Sequence, residues 1–440
     1  MPTLAATQPT GQKPTERLMS VDALRGFDMF WIIGADSLVA ALDRMKSGKV
    51  TDFLADQLDH AEWQGFHFYD LIFPLFVFLM GVSLVFSLTK AVERGGRAQA
   101  LQRIVRRTIL LFIIALLYSG GLTNPWPDLR LMGVLNRIAL AYFFGGLLFC
   151  FFKPRVLAAI CVSILLGYWA LMALVPIRDI QLDKKNLAQL AEKAGDTQSA
   201  ALLLQPGNPS AVKDSPAWAA AQRMFYATTN RVTGQYGHGY NLSDHIDFQY
   251  LPGRKYDTFF DPEGLLSTLP AVATCLLGVF AGLLLKDRTV ADRRKVLLLL
   301  SCGCGLALVG WLWNLEFPVI KKIWTSSYVL VAGGYSAILL GLFYQVVDVW
   351  RVRAWCQPFV WMGMNSITIY LVNNILGYDA GRQYYGFRKL GPRFLGGDLK
   401  AFLDQHVARG SGDLAISIAG LLLAFWLVRF LYKRNVFLRL

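Results

Sequence analysis

The chain has 440 residues, 55% of them hydrophobic and only 17% charged, with a formal net charge of +14. With a mean hydropathy of +0.40, this excludes an ordinary water-soluble domain, in which about a quarter of residues are charged. The positive balance does not mark a nucleic-acid binder, because Lys and Arg stand in short clusters between apolar runs rather than along one face.

Taken in chain order, residues 1–18 are polar and lack the apolar core of a signal peptide, which predicts a cytoplasmic tail. Apolar runs of about 20 residues, the length that crosses a hydrocarbon layer of roughly 30 Å, then predict ten spans. They lie at about 19–41, 67–89, 104–121, 129–152, 156–176, 264–285, 296–314, 324–349, 355–376 and 413–432. Arg94, Arg97, Arg103, Arg106 and Arg107 follow the second span, and Lys286, Arg288, Arg293, Arg294 and Lys295 follow the sixth. Positive loops stay inside, so these loops and both termini are expected in the cytoplasm. The stretches 42–66, 122–128, 177–263 and 377–412 then lie on the periplasmic or lumenal side. The longest, 177–263, has helix formers around 183–204 and ends in YGHGYNLSDHIDFQYLPGRKYDTFFDPEG, which predicts an ordered cap rather than a linker. The expected fold is an all-α polytopic membrane bundle of about ten helices over 19–440, with an extracytoplasmic insertion at 177–263. The six Cys all fall in or beside apolar runs, so neither a disulfide framework nor a CxxC site is expected.

Ionisable residues inside spans are expensive and mark function by default. In the first span, Asp22 and Arg25 are i,i+3 neighbours near the cytoplasmic leaflet; they read as a structural ion pair or as a site where Arg25 meets an anionic ligand such as a phosphate. Asp36 lies toward the opposite leaflet. His60, Trp63 and Asp70 cluster at the outer start of the second span, close enough for imidazole and carboxylate to meet if the intervening segment folds back. That pairing is the usual arrangement of a general base; the bland reading is a surface His and a helix-cap Asp. Asn136 and the permanently charged Arg137 are buried in the fourth span, and Arg137 needs a carboxylate from Asp70, Asp36 or Glu263, or a ligand phosphate. Asp261, Pro262 and Glu263 fit the N-cap and first turn of the sixth span, or an outer site. Asn365, Asn373 and Asn374 in the ninth span read as helix glue or as hydrogen-bond donors. His238, His245, Asp244 and Asp247 have irregular spacing for a metal, and none is expected. The motifs GxSxG, HExxH and GxxxxGK[ST] do not occur.

The segments SVDALRGFDMF, HAEWQGFHFYDLIFPLFVFLMG, GVLNRIALAYFF, FDPEGLLSTLPAVATCLLGVFAGLL and GMNSITIYL occur in that order. Together they resemble the heparan-α-glucosaminide N-acetyltransferase family, across nearly all spans. Its bacterial members accompany N-acetylglucosamine use. The resemblance implies acetyl-CoA entering from the cytoplasm and the amine of a glucosamine, or of a glycan end, entering from the other side. It also implies a homodimer and, for a bacterial member, an inner-membrane location. Motif matching puts the family's active-site histidine on His60, with Asp70 as its orienting partner. Asp22 and Arg25 match the RG motif of the first span and Arg137 the arginine of the fourth; with Asn136, Arg106 and Arg107 they are the expected donor-binding set. Glu263 matches the DPEG glutamate, and with Asp36, Trp63, Asp261 and Asn373 it makes up the expected acceptor set. Asp36 departs from the family, which has asparagine there.

The implied chemistry is deprotonation of the acceptor amine by His60 and attack on the thioester, with Asn136, Arg137 or an Asn of span nine as oxyanion donor; transient acetylation of His60 is the other version. Ten spans with intramembrane Asp and Arg also fit a secondary transporter for N-acetylglucosamine or a related sugar, and, less specifically, a scaffold or lipid-interacting subunit.

Overall fold

The computed structural model of the chain describes residues 18–45, 48–121, 124–205, 215–379 and 384–438. Among the described residues, seven helices are long and apolar enough to cross a membrane, and sheet is confined to three two-residue ribbons. This is a polytopic helical membrane protein.

The relation of these helices to the hydropathic runs is not one to one. A 3-10 turn at Phe68–Leu71 leads directly into α3 (Ile72–Tyr118), making one run of 51 residues. At 1.5 Å per residue that is about 75 Å, more than two hydrocarbon thicknesses, so it contains both the second and third expected spans. The chain turns at Gly95 and Gly96, and Gly96 has φ +73°, a conformation that glycine alone enters without strain. The first expected span is α1 (Met19–Met45), which carries enough Asp and Arg to fall outside the apolar set. The ninth expected span is corrected: it is two short helices, α13 (Gln357–Met364) and α14 (Ser366–Ile375), interrupted at Asn365. The remaining expected spans are α4 (Val134–Phe151), α5 (Pro154–Leu174), α10 (Thr268–Lys286), α11 (Asp292–Trp313), α12 (Ser326–Phe343) and α17 (Ser411–Lys433).

The largest buried cluster joins α3, α4, α10 and α12, with Leu75, Phe78, Tyr142, Cys275 and Tyr328 at its centre. Small residues allow this: a Cβ on Gly81 would strike the Cys275 carbonyl, and one on Gly278 the Phe78 carbonyl, so α3 and α10 touch backbone to backbone.

Residues 177–263 are ordered. They hold α6 (Lys184–Lys193), α7 (Thr197–Leu203), α8 (Pro216–Ala227) and α9 (Leu242–Tyr250), and Asp183, Asp196, Ser215 and Asn241 cap them through side-chain oxygens. Trp218, Phe225, Phe248, Phe259 and Phe260 build a separate buried cluster here. Of the aromatic end of this segment, conspicuous in the sequence, Phe248, Phe259 and Phe260 enter this core, whereas Tyr250 and Tyr256 are exposed.

Candidate functional site

A cavity of about 630 Å³ threads the bundle. His60, Trp63, Glu263, Lys321 and Lys322 line one end, and Arg25, Ser83, Ser87, Arg103 and Arg107 the other; Met29, Ile32, Phe73, Phe76 and Leu135 lie between. Asp70 and Ser87 both line it and are 17 positions apart along one continuous helical run, about 25 Å at the helical rise. The cavity therefore extends across most of a hydrocarbon core.

The His60 end is built by a fold-back. After α2 (Lys49–Gln57), residues 58–67 turn toward the start of α3, pinned where Gly65 N–H donates to the Val319 carbonyl at 3.0 Å and Trp63 Nε1 to the Tyr236 carbonyl at 2.7 Å. The Asp70 carboxylate, 1% exposed, accepts from the backbone N–H of Ala61 at 3.2 Å and of His67 at 3.0 Å. His60 Nδ1 lies 2.7 Å from Asp70 Oδ1. A carboxylate only accepts, which assigns the proton to Nδ1 and leaves the lone pair on Nε2. The ring stacks on Tyr69 with centroids 4.6 Å apart and remains half exposed to the cavity. Lys321, between α11 and α12, completes the cluster: its Nζ is 3.3 Å from Asp70 Oδ1, 2.9 Å from His60 Nδ1 and 3.3 Å from Nε2.

Beside this cluster, Arg130 donates from Nε and Nη2 to Asp261 at 2.8 and 2.6 Å and from Nη2 to Glu263 at 2.6 Å, and stacks over Tyr256. Two expectations are corrected here. Asp261 does not cap the sixth span, whose helix starts at Thr268 after Ser267; its carboxylate instead accepts from Tyr256 N–H and Glu263 N–H, both at 3.1 Å. Arg137, 1% exposed, is not hydrogen-bonded to a carboxylate among the described residues: Nη2 donates to the Pro262 carbonyl at 2.8 Å and to the Ser267 hydroxyl, and the guanidinium lies 4.9 Å above the Trp324 ring. Arg130 lies seven residues earlier, in the non-helical segment that precedes α4, beside the loop that carries Asp261 and Glu263. The same loop hangs from Asp247, whose carboxylate accepts from Leu265 N–H at 2.8 Å and Asp261 N–H at 3.3 Å, and burial pushes its pKa up to about 7. His245 bonds through Nε2 to the Ile180 carbonyl at 3.0 Å, while His238 packs edge-on to Trp63 and Phe260.

At the opposite end, Arg25 donates to Ser83 and sits 3.4 Å from Asp22, which is not among the cavity-lining residues. Arg107 reaches the cavity and Arg106 does not. Arg103 and Arg107 share one helical face at i,i+4, whereas Arg106, 100° round from Arg107, is exposed and does not line the cavity. Asn136 is buried behind the wall, with Nδ2 lacking a hydrogen-bond partner among the described residues. Asn373 is likewise off the cavity; its Oδ1 accepts from Phe387 N–H at 3.2 Å, tying α14 to the following segment. The Asp36 side chain lies outside the described residues.

Arg103, Arg130, Lys321 and Lys322 escaped the reading of the sequence. A signal existed for three of them: Arg130, Lys321 and Lys322 lie on the side that the charge pattern assigns as non-cytoplasmic, where basic residues are depleted and so need a reason.

Residues 17–190 match the family described as heparan-alpha-glucosaminide N-acetyltransferase, catalytic. The chain is 28% identical over 395 residues to heparan-alpha-glucosaminide N-acetyltransferase of Homo sapiens, covering 84% of this chain and 54% of that protein. Against the Mus musculus protein of the same name it is 28% identical over 416 residues, covering 88% and 57%. The chain thus spans about half the length of the curated relatives it matches. These matches make the chain similar to heparan-alpha-glucosaminide N-acetyltransferases, through the catalytic family description over residues 17–190 and at 28% identity over most of its length.

Proposed function

We propose that this protein is a transmembrane N-acetyltransferase that moves an acetyl group from acetyl-CoA on the cytoplasmic side to the amine of a glucosamine-type sugar, free or at a glycan end, on the periplasmic or lumenal side. One observation carries the reading: a cavity joins an imidazole–carboxylate pair at one end to three arginines at the other, about a membrane thickness away.

The arginine end fits the anionic part of the acyl donor, here a substrate. Arg25, Arg103 and Arg107 converge with Ser83 and Ser87, and Arg107 Nε and Ser87 Oγ are buried without a hydrogen-bond partner among the described residues. Phosphate oxygens are the natural acceptors for such a donor set. The apolar middle accommodates a slender chain reaching toward His60. At that end, Trp63 and Tyr256 offer faces on which a sugar ring stacks. His60 Nε2 takes a proton from the amine as nitrogen attacks the thioester carbon, and gives it to sulfur as the C–S bond breaks; Asp70 holds the ring and its tautomer throughout. The amine loses one proton, the thiol gains it, and no further reactant is needed.

The test is thiol release by the purified protein given acetyl-CoA, with and without a panel of amino sugars. Amine-dependent release supports an acetyltransferase and identifies its acceptor class. Indifference to acetyl-CoA in a folded preparation, in release and in thermal shift, overturns it in favour of sugar transport.

A further inference from the structure

We infer that Lys321 is a further catalytic residue, whose ammonium donates to the oxyanion formed at the attacked carbonyl. The inference rests on the acyl-transfer reading above. Attack on a thioester places negative charge on the carbonyl oxygen, and in a water-excluded site that charge needs a donor already in place.

Four cationic side chains line the His60 end of the cavity: Arg130, Arg137, Lys321 and Lys322. Arg130 is held by Asp261 and Glu263, and Lys322 Nζ by Asp257 at 2.9 Å. Arg137 donates from Nη2 to a carbonyl and a hydroxyl and lies over an indole face; its Nε is buried without a hydrogen-bond partner among the described residues, but no contact there joins it to His60 Nε2 as one joins Lys321 Nζ. The side-chain amides expected to serve are committed elsewhere: Asn365 Nδ2 donates to the Trp361 carbonyl at 3.3 Å and Asn374 Nδ2 to the Tyr370 carbonyl at 2.9 Å, while Asn136 lies behind the wall.

Lys321 differs in position. Its Nζ lies 3.3 Å from His60 Nε2, the nitrogen that receives the amine proton. That separation matches a tetrahedral centre whose amine nitrogen faces Nε2 and whose oxygen faces Nζ, each at a hydrogen-bond distance of about 2.8 Å. Rotation about the Cε–Nζ bond turns a donor onto the oxygen while Asp70 Oδ1 stays in reach at 3.3 Å. When the oxyanion collapses, the C–S bond breaks, the proton passes from His60 to sulfur, and the ammonium retains all its protons.

A merely structural Lys321 would act by holding Asp70, and a double-mutant comparison separates the two roles. Purified full-length wild type, Lys321→Met, Lys321→Arg, Asp70→Asn and the Lys321→Met/Asp70→Asn double variant are assayed for kcat and for both KM values. The expected result is a kcat loss of about 10²–10³-fold in Lys321→Met with both KM values little changed. Partial recovery in Lys321→Arg is expected, together with an undiminished Lys321→Met effect in the Asp70→Asn background. Loss confined to KM, or disappearance of the effect once Asp70 is neutral, overturns the assignment. Lys321→Arg keeps the charge in place, so an equal loss of kcat in Arg and Met, with the acetyl-CoA thermal shift retained in both, also overturns it. A wild type that releases no thiol with any amine overturns the underlying acyl-transfer reading instead, before any variant is compared.

Discussion

His60 and Asp70 meet at 2.7 Å between Nδ1 and Oδ1, with a carboxylate that also accepts two backbone N–H groups and is only 1% exposed. Those two amides come from the fold-back that carries the histidine, Ala61 and His67, so the same hydrogen bonds that place the loop also orient the acid. The pair is preorganised by its own connecting segment, which is why it survives in a half-exposed cavity mouth.

Replacement of His60 by Ala is expected to lower amine-dependent thiol release by about 10²-fold or more. Full acetyl transfer by a well-folded His60→Ala protein would refute both the general-base and the acetyl-carrier versions. Asp70→Asn offers an N–H where Nδ1 needs an acceptor, which favours the wrong tautomer; kcat should fall while the acetyl-CoA thermal shift is unchanged.

Arg130→Ala leaves two carboxylates, Asp261 with 0% and Glu263 with 12% side-chain exposure, without the cation that binds both. Breaking such a buried group by removing one partner is expected to destabilise by about 3–5 kcal/mol. Arg130→Lys keeps the charge and loses the fork, so its unfolding midpoint in detergent should lie between wild type and Arg130→Ala.

Asp247 makes stability depend on pH. Burial raises its pKa in the folded chain to about 7, against about 3.9 when unfolded. The folded state therefore holds the proton more tightly, and the contribution is full below about pH 4 and disappears as pH rises through about 7. The difference in melting temperature between wild type and Asp247→Asn should change across that window in favour of wild type at the acid end. A difference that is flat from pH 4 to 8 would contradict the assignment.

Arg103→Ala and Arg107→Ala should each weaken acetyl-CoA binding on the order of tenfold, the size of one charge-assisted hydrogen bond, with weaker loss at high salt. Arg106→Ala is the internal control, since that side chain does not line the cavity. An Arg106→Ala effect as large as the other two would show that bulk loop charge, not cavity geometry, binds the donor.

Much of the architecture could be read locally. Hydropathy located every helical segment now seen crossing the bundle, because the requirement that apolar side chains cover the backbone in lipid acts on each window of about 20 residues independently. His60 and Asp70 were legible because they are ten positions apart and share one motif. The break at Asn365 was not, since a helix interrupted against neighbouring helices keeps its apolar composition.

Composition, spacing and charge therefore decided that this is a membrane bundle and which imidazole and carboxylate belong together. Only the tertiary structure decided that Lys321 joins them across some 250 residues, that Arg130 rather than Arg137 holds Asp261 and Glu263, that Arg103 and Arg107 face the cavity and Arg106 does not, and that Asn136 and Asn373 lie behind its wall. The reason is physical: span formation is a one-dimensional balance between a segment and its solvent, whereas the direction and partner of a polar side chain are set by which helices pack against it, and that depends on residues far away in the chain.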